Sequence, residues 1–407
     1  MQQWLKANKK KFLGFSILTL LLTFGGYVKY RPIHCDPIDF AHEARIKNDA
    51  VKLKKQFSLI ACMQKHNTPG LAIAFIENGM LKFATGFGVL NSEKETTVNA
   101  DTVFSVGSVS KVINAVLILR LVDKGLLDFD VDVNRYLKSW KIKKNKFTSS
   151  KKITLRHLLS HTAGLTVHGF PDFYPGEELP TVIETLEGKA PAKTSAVKSI
   201  LTPGTKMKYS GGGITVSQLV VTDVTGLTYP EAAEKYVFNP LEMKRSTFLN
   251  PLPKTHGNIA KAHDRAGKLI AKPRGYQAMP EMAASGLWTS ANDLAKFMKA
   301  LINSYHGESN FLMKETTRTM MTPIEISNAK KIVPAGLKKQ TGVGVFLSTL
   351  ENGETLFSHN GSNESYKALI KGWLESRSAI VILSNGAKAK PLIKNIAQDM
   401  IVYYQRT

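Results

Sequence analysis

Strand-like sequence stands at both ends of this chain, with a mostly helical stretch between about residues 101 and 320. Near the start, "LAIAFIE" and "MLKFATGFG" are joined by Asn78-Gly79. Asn-Gly between apolar runs reads as a hairpin, because its turn needs two residues that tolerate positive φ. From about 341 the pattern returns as "TGVGVFLSTL", the turn "ENG", "ETLFSHNG", "YKALIKGWL" and "SAIVILSNG". Residues 37–66 and Pro391 to Gln405 carry helical spacing and bracket the two strand blocks. Strands need partners, so the economical solution is one antiparallel sheet drawn from both ends of the chain. Terminal helices flank it and an all-helical lobe lies beside it. The expected class is α+β, with a site in the cleft between sheet and lobe. No internal repeat or low-complexity tract interrupts this plan.

A chain of 407 residues can bury a substantial core, and 43% hydrophobic with 21% charged residues fits a globular protein. The formal charge of +23 favours anionic surfaces. Nucleic acid is excluded as a partner: there is no Cys/His zinc spacing, no interleaved aromatic motif and no basic recognition helix. The densest basic run, Lys141 to Lys152, reads as a solvated loop. Residues 1–11 form a basic segment, and 12–28, "FLGFSILTLLLTFGGYV", are uncharged and apolar. That length falls in the range of about 17–25 residues that spans a bilayer. Lys6, Lys9, Lys10 and Lys11 would hold the N-terminus in the cytoplasm. Residues 12–28 are therefore expected to be a transmembrane helix or a signal segment, 29–54 a linker and the start of the first helix, and 55–405 the functional domain. Either way the domain is expected outside the cytoplasm, which is the periplasm if the cell is Gram-negative. No A-x-A-like cleavage site follows, and "RPIHC" lacks the small residues expected before a lipidated cysteine. Cys35 and Cys62 are the two cysteines. They permit a disulfide in an exported protein, while Cys62 in "FSLIACM" also suits an unpaired buried thiol.

Ser-x-x-Lys occurs four times, from Ser108, Ser149, Ser195 and Ser327. Ser149 and Ser195 lie in polar stretches without an apolar face, and Ser327 precedes a Lys-Lys loop. Ser108 alone stands between a strand-like "TVFSVG" and a long apolar helix. Residues three apart share a helix face, so Lys111 can reach the Ser108 hydroxyl. The helix N-terminus favours developing negative charge. A lysine desolvated by apolar neighbours loses basicity and can serve as a base. On spacing alone, chance remains an alternative.

"FSVGSVSKV" resembles the active-site segment of class C β-lactamases and their relatives, the penicillin-binding-protein-like serine hydrolases and family VIII esterases. The resemblance continues in family order through "ITLRHLLSHTAGL", "LTPGTKMKYSGGG", "MAASGLWTSANDLAKFM" and "FSHNGSNESYKALI", covering roughly residues 55 to 400. It implies a β-lactamase/transpeptidase-like fold with Ser108 as nucleophile. The second motif reads Tyr209-Ser210-Gly211, so Tyr209 is implied to share proton transfer with Lys111, its phenol made more acidic by the lysine. Gly211 stands where an asparagine usually contacts a substrate amide. The third motif reads His359-Asn360-Gly361 where β-lactamases carry Lys-Thr-Gly. The resemblance implies that the N–H groups of Ser362 and Ser108 form an oxyanion hole and that Gly361 lets substrate approach the strand. His359 in place of a permanent cation should weaken the hold on a substrate carboxylate.

Two patterns imitate metal sites. His157 and His161 are four apart, but no glutamate adjoins His157 and no third ligand is evident. Asp128 to Asn134 imitates a calcium loop, yet Val133 occupies the position that needs glycine and Ser139 the one that needs glutamate. No metal or other cofactor is expected. The reading is a membrane-anchored extracytoplasmic serine hydrolase acting through an acyl-enzyme on an ester or D-amino-acid amide, a small molecule or cell-wall peptide. The alternatives are a β-lactamase or DD-peptidase, and a catalytically silent cell-wall sensor.

Overall fold

The computed structural model describes residues 59–271, 278–326 and 340–406. The apolar segment 12–28, the linker and Cys35 lie outside the described residues, as does Ser327. No helix among the described residues is long and apolar enough to cross a membrane. Of the first expected helix, residues 59–65 are described and helical. Cys62 within it is buried and disulfide-bonded.

The sheet takes its strands from both ends of the chain, as the two blocks require. Among the described residues its seven strands run in the order β2-β1-β9-β8-β7-β6-β5, every pairing antiparallel. The strands are β1 (Gly70–Glu77), β2 (Met80–Gly88), β5 (Gln340–Thr341), β6 (Phe346–Thr349), β7 (Thr355–Asn363), β8 (Tyr366–Trp373) and β9 (Ser378–Ser384). β1 and β9 are buried along their whole length, which is why "LAIAFIE" and "SAIVILS" are continuous apolar runs rather than alternating ones. β2, at the edge, is exposed at its two ends and half-buried between them. Asn78 (φ +52°) and Gly79 (φ +73°) make the turn that Asn-Gly announces.

The helix Ala291–His306 lies against β1, β2 and β9. It buries Leu294, Phe297, Met298, Leu301 and Ile302, one stripe at helical spacing. Ser290 caps its start by accepting the Asp293 N–H, and Gly307 (φ +80°) ends it. The C-terminal helix, Lys390–Arg406, packs on β8. In the helical lobe, Ser110–Asp123 is buried on all sides from Ser110 to Leu119, and Gly211–Thr225 is buried from Gly211 to Val221. Both pack on the short helix Met282–Ser285. Asn114 locks them together, donating to Ser217 Oγ (2.9 Å) and accepting from the Tyr229 hydroxyl (3.0 Å). A buried network that is satisfied in this way fixes one packing of the two helices.

One element departs from the helical expectation for the middle of the chain. Phe104–Ser105 (β3) and Trp288–Thr289 (β4) form a small separate antiparallel ladder. Strands of two residues have no period to read, and only their long-range pairing creates them.

Candidate active site

Ser108 sits where strand turns into helix, on a 3₁₀ turn (Gly107–Val109) just ahead of Ser110–Asp123, rather than within the α-helix itself. β3 delivers the chain to that point, and Gly107 turns it with φ +51°, a region that favours glycine. Ser110 holds the turn from below. Its hydroxyl donates to Gly107 O (2.6 Å) and accepts the Leu287 N–H (3.0 Å). Half-buried Ser108 therefore projects from a rigid corner.

Lys111, one turn on, is 3% exposed, and its Nζ lies 3.1 Å from Ser108 Oγ. It also donates to Ala284 O, on the short helix Met282–Ser285 (2.5 Å). Burial lowers its pKa to about 7. Near neutrality the amine is thus free of its proton in a large fraction of molecules, with a lone pair close to a hydroxyl.

Tyr209 closes the group from the loop before Gly211–Thr225. Its phenol is hydrogen-bonded to Ser108, and Lys111 Nζ lies 5.1 Å from its ring centre. The expected acidification of this phenol does not occur. Burial pushes its pKa up to about 12, and the Ser108 bond offsets only part of the rise. The physical reason is that Lys111, desolvated itself, is no permanent cation. Tyr209 is a group that keeps its proton until asked for it.

His161, set aside above as a metal decoy, clasps Tyr209 on three sides. Its carbonyl accepts the Lys208 N–H (2.7 Å), its Nδ1 accepts the Ser210 N–H (3.2 Å), and its ring centre is 4.1 Å from that of Tyr209. Burial, with Lys111 and His359 nearby, holds its pKa well below the usual histidine value. A neutral ring keeps the Nδ1 lone pair that the Ser210 N–H requires. His157 is used differently, its Nδ1 accepting the Thr154 N–H in a helix cap. Asp130 of the calcium-like run pairs with Arg156 through two bonds of 2.7 and 2.8 Å.

β7 supplies the opposite wall. Buried His359 has its ring 6.4 Å from that of Tyr209 and 5.3 Å from Phe346 of β6, and its Nδ1 lies 2.8 Å from Asn360 O. Gly361 packs onto the Ser108 turn, and a Cβ on Gly107 would stand 2.6 Å from Ser362 N. The backbone N–H groups of Ser108 and Ser362 are thereby brought to the same corner. Buried Asn363 pins this end of the strand, donating to Ser105 Oγ and Ser285 O, each at 2.8 Å.

Gly211 occupies a different place from the expected substrate-binding one. It is buried, and its N–H donates to His168 O (3.1 Å). A Cβ there would meet Phe170 Cε2 at 2.9 Å and His168 O at 3.0 Å. The loop through Val167, itself strained at φ +62°, covers the position and leaves no room for an asparagine. The ring of His168 instead lies 5.0 Å from Tyr209. The other Ser-x-x-Lys serines among the described residues, Ser149 and Ser195, are exposed, as are Lys152 and Lys198. The structure thus gathers Ser108, Lys111, Tyr209, His359, Gly361 and Ser362, and sets Gly211 behind a loop. Chemically, the group offers a hydroxyl beside a neutral amine, a protonated phenol and two converging N–H donors.

The sequence model described as "Beta-lactamase" matches residues 58–402. The chain belongs to the beta-lactamase family. Members of this family are serine hydrolases. The protein is 22% identical over 356 residues to Protein flp of Staphylococcus aureus (strain MW2), covering 84% of this chain and 65% of that one. A Beta-lactamase of Pseudomonas fluorescens is 28% identical over 238 residues, 58% of this chain and 61% of the relative. The chain therefore spans less than two thirds of the length of either. Among solved structures, the octameric penicillin-binding protein homologue from Pyrococcus abyssi superposes with a TM-score of 0.66 at 26% identity, covering 84% of this chain and 74% of that one.

Proposed function

We propose that this beta-lactamase-family protein cleaves esters or D-amino-acid amides through an acyl-enzyme on Ser108. The observation that carries the reading is the Lys111 amine, 3.1 Å from the Ser108 hydroxyl with a pKa near 7. Neutral Lys111 accepts the Ser108 proton as Oγ attacks the carbonyl carbon. The N–H groups of Ser108 and Ser362 take the negative charge that collects on the carbonyl oxygen. Each such donor is worth on the order of 10²–10³ in rate. Tyr209 gives its proton to the departing oxygen or nitrogen and regains one from Lys111. Water then attacks the acyl-Ser108 carbonyl, its proton passing back through the same pair, and the acid leaves.

Substrate choice follows from two positions. His359, where a lysine would attract a carboxylate, is enclosed by Tyr209 and Phe346. Gly211 offers no side chain to an acylamino group. Simple esters need neither contact. β-Lactam hydrolysis is the second reading, favoured by the 28% identity with the Pseudomonas fluorescens relative. A panel of aryl ester, chromogenic cephalosporin and D-alanyl-D-alanine peptide separates them. The ester is expected to have the highest kcat/KM, and a wild-type preference for the cephalosporin reverses the order. The apolar 12–28 segment after four lysines supports an anchored domain outside the cytoplasm. A reporter fused after Thr407 should be active only outside, and activity inside the cell contradicts that placement.

A further inference from the structure

Two stretches of the helical lobe carry positive charge and no negative charge. Between Asp132 and Asp172 the chain has nine Lys and Arg residues and no carboxylate, and between Glu187 and Asp223 five and again none. The fold lays the two stretches side by side. Thr166 N donates to Lys198 O (2.9 Å), Ile200 N to Gly164 O (2.9 Å) and Lys208 N to His161 O (2.7 Å). The densest run, Lys141 to Lys152, is fastened on through Asn145, whose Nδ2 donates to Ser199 O (2.8 Å). A Cβ on Gly204 would stand 2.8 Å from Lys151 Nζ, so that ammonium also lies on the second stretch.

Lys143, Lys144, Lys146, Lys152, Lys198 and Lys206 are exposed. Among the described residues no carboxylate pairs with any of them. Bordering acids are engaged elsewhere, Asp130 by Arg156 and Asp223 by the Lys138 and Ser139 N–H groups. Lysines this dense, with no acid between them, create a potential that draws anions. The negative charge that suits this surface must come from a partner.

Apolar groups lie among the lysines. Ile200 is 40% exposed, next to the Ser199 carbonyl that Asn145 holds. Phe147 is half-buried, with Lys146 Nζ 5.2 Å from its ring centre. A soluble polyanion has use for the lysines alone. A lipid surface takes both kinds of group, because lysines meet the headgroup phosphates while apolar and aromatic side chains enter the acyl boundary. A site for one free phosphate would favour the planar fork of arginine, whereas separate lysines are point charges that suit many headgroups at once.

We propose that this surface docks on an anionic phospholipid bilayer. Lys206 and Lys208 lead directly into Tyr209, so the docked face borders the candidate active site. The anchor reading of residues 12–28 supplies only nearness to lipid. The test follows lysine acetylation by an N-hydroxysuccinimide ester, peptide by peptide, in the full chain on two kinds of vesicle. One is phosphatidylcholine alone, the other an equal mixture with phosphatidylglycerol. On the anionic vesicles Lys143, Lys144, Lys198 and Lys206 should react at least about fivefold more slowly, the population ratio that one lysine at an anionic leaflet implies. Exposed Lys299, on the helix Ala291–His306, should react alike on both. Salt at about 1 M, where screening shortens to about 3 Å, should abolish the difference. Joint substitution of Lys143→Gln, Lys144→Gln and Lys152→Gln, all at exposed positions, should restore most of the reactivity of Lys198 and Lys206. Equal rates on both vesicles, slowing that includes Lys299, or protection that survives the triple substitution overturns the docking surface. Protection by soluble polyphosphate as strong as that by the vesicles assigns the surface to a polymer and overturns the lipid partner. A full chain that neutral vesicles fail to retain would defeat the anchor reading alone.

Discussion

A Cβ built on Gly361 would stand 1.8 Å from the carbonyl oxygen of Val106. Strand β7 and the turn bearing Ser108 therefore touch backbone to backbone, and the converging N–H donors depend on that contact. Gly361→Ala must push the strand away, an overpacking that costs about 1–3 kcal/mol. Loss of acylation should accompany a lowered denaturation midpoint. Gly169→Ala, where nothing lies within 4 Å, should leave the midpoint unchanged.

Lys111 determines the pH dependence. With its pKa lowered to about 7, kcat/KM should rise with pH through neutrality and then stay level, because Tyr209 is pushed up to about 12 and His161 stays neutral. Stability moves in the same direction. Between about pH 7 and 10 the unfolded chain holds a lysine proton that the folded protein lacks, so unfolding free energy rises with pH across that window. Lys111→Met should cut kcat/KM by about 10²–10⁴ and remove the acidic limb. Relief of the desolvated amine should offset the lost hydrogen bond to Ala284 O, so the fold should not be destabilised. Pre-steady-state acylation from pH 5 to 9 and a denaturation series in the same buffers check both.

Tyr209→Phe keeps the ring that His161 and His168 flank but deletes the donor. Turnover of substrates with poor leaving groups, such as alkyl amides, should fall about 10²–10³-fold. Activated aryl esters, whose phenolate needs no proton, should lose far less. Equal losses for both classes would remove Tyr209 from leaving-group protonation.

His359→Lys tests the specificity argument. A permanent cation beside Tyr209 restores a charge-assisted bond to a carboxylate, worth roughly 1–3 kcal/mol. Cephalosporin kcat/KM should improve by about tenfold or more relative to an aryl ester. An unchanged ratio would show that position 359 does not face the substrate carboxylate.

Much of this arrangement is legible in the amino-acid sequence. Asn78-Gly79 announces its hairpin because turn chemistry is local, and the apolar runs of β1 and β9 announce burial on both faces. Ser108 and Lys111 are readable because their meeting needs only three residues of spacing. His161, by contrast, acts on Tyr209 across a long loop, and its imidazole spacing to His157 points to a metal instead. Asn363 and Phe170 carry no local signal, since their roles arise from contacts between distant segments. The weak acidity of Tyr209 is hidden from the sequence for a related reason. Proximity to a lysine is visible in the motif order, whereas desolvation of both groups is a property of the packed lobe.

The central claim is that Ser108, among all the serines of the chain, becomes acylated. Intact-mass analysis of the full chain after exposure to a serine-directed fluorophosphonate tests it directly. One adduct is expected, with fluoride displaced and the label mapped to the peptide holding "FSVGSVSK" at Ser108. Ser108→Ala should abolish it, while Ser149→Ala and Ser195→Ala should not. Undiminished labelling of the Ser108→Ala protein would contradict the account.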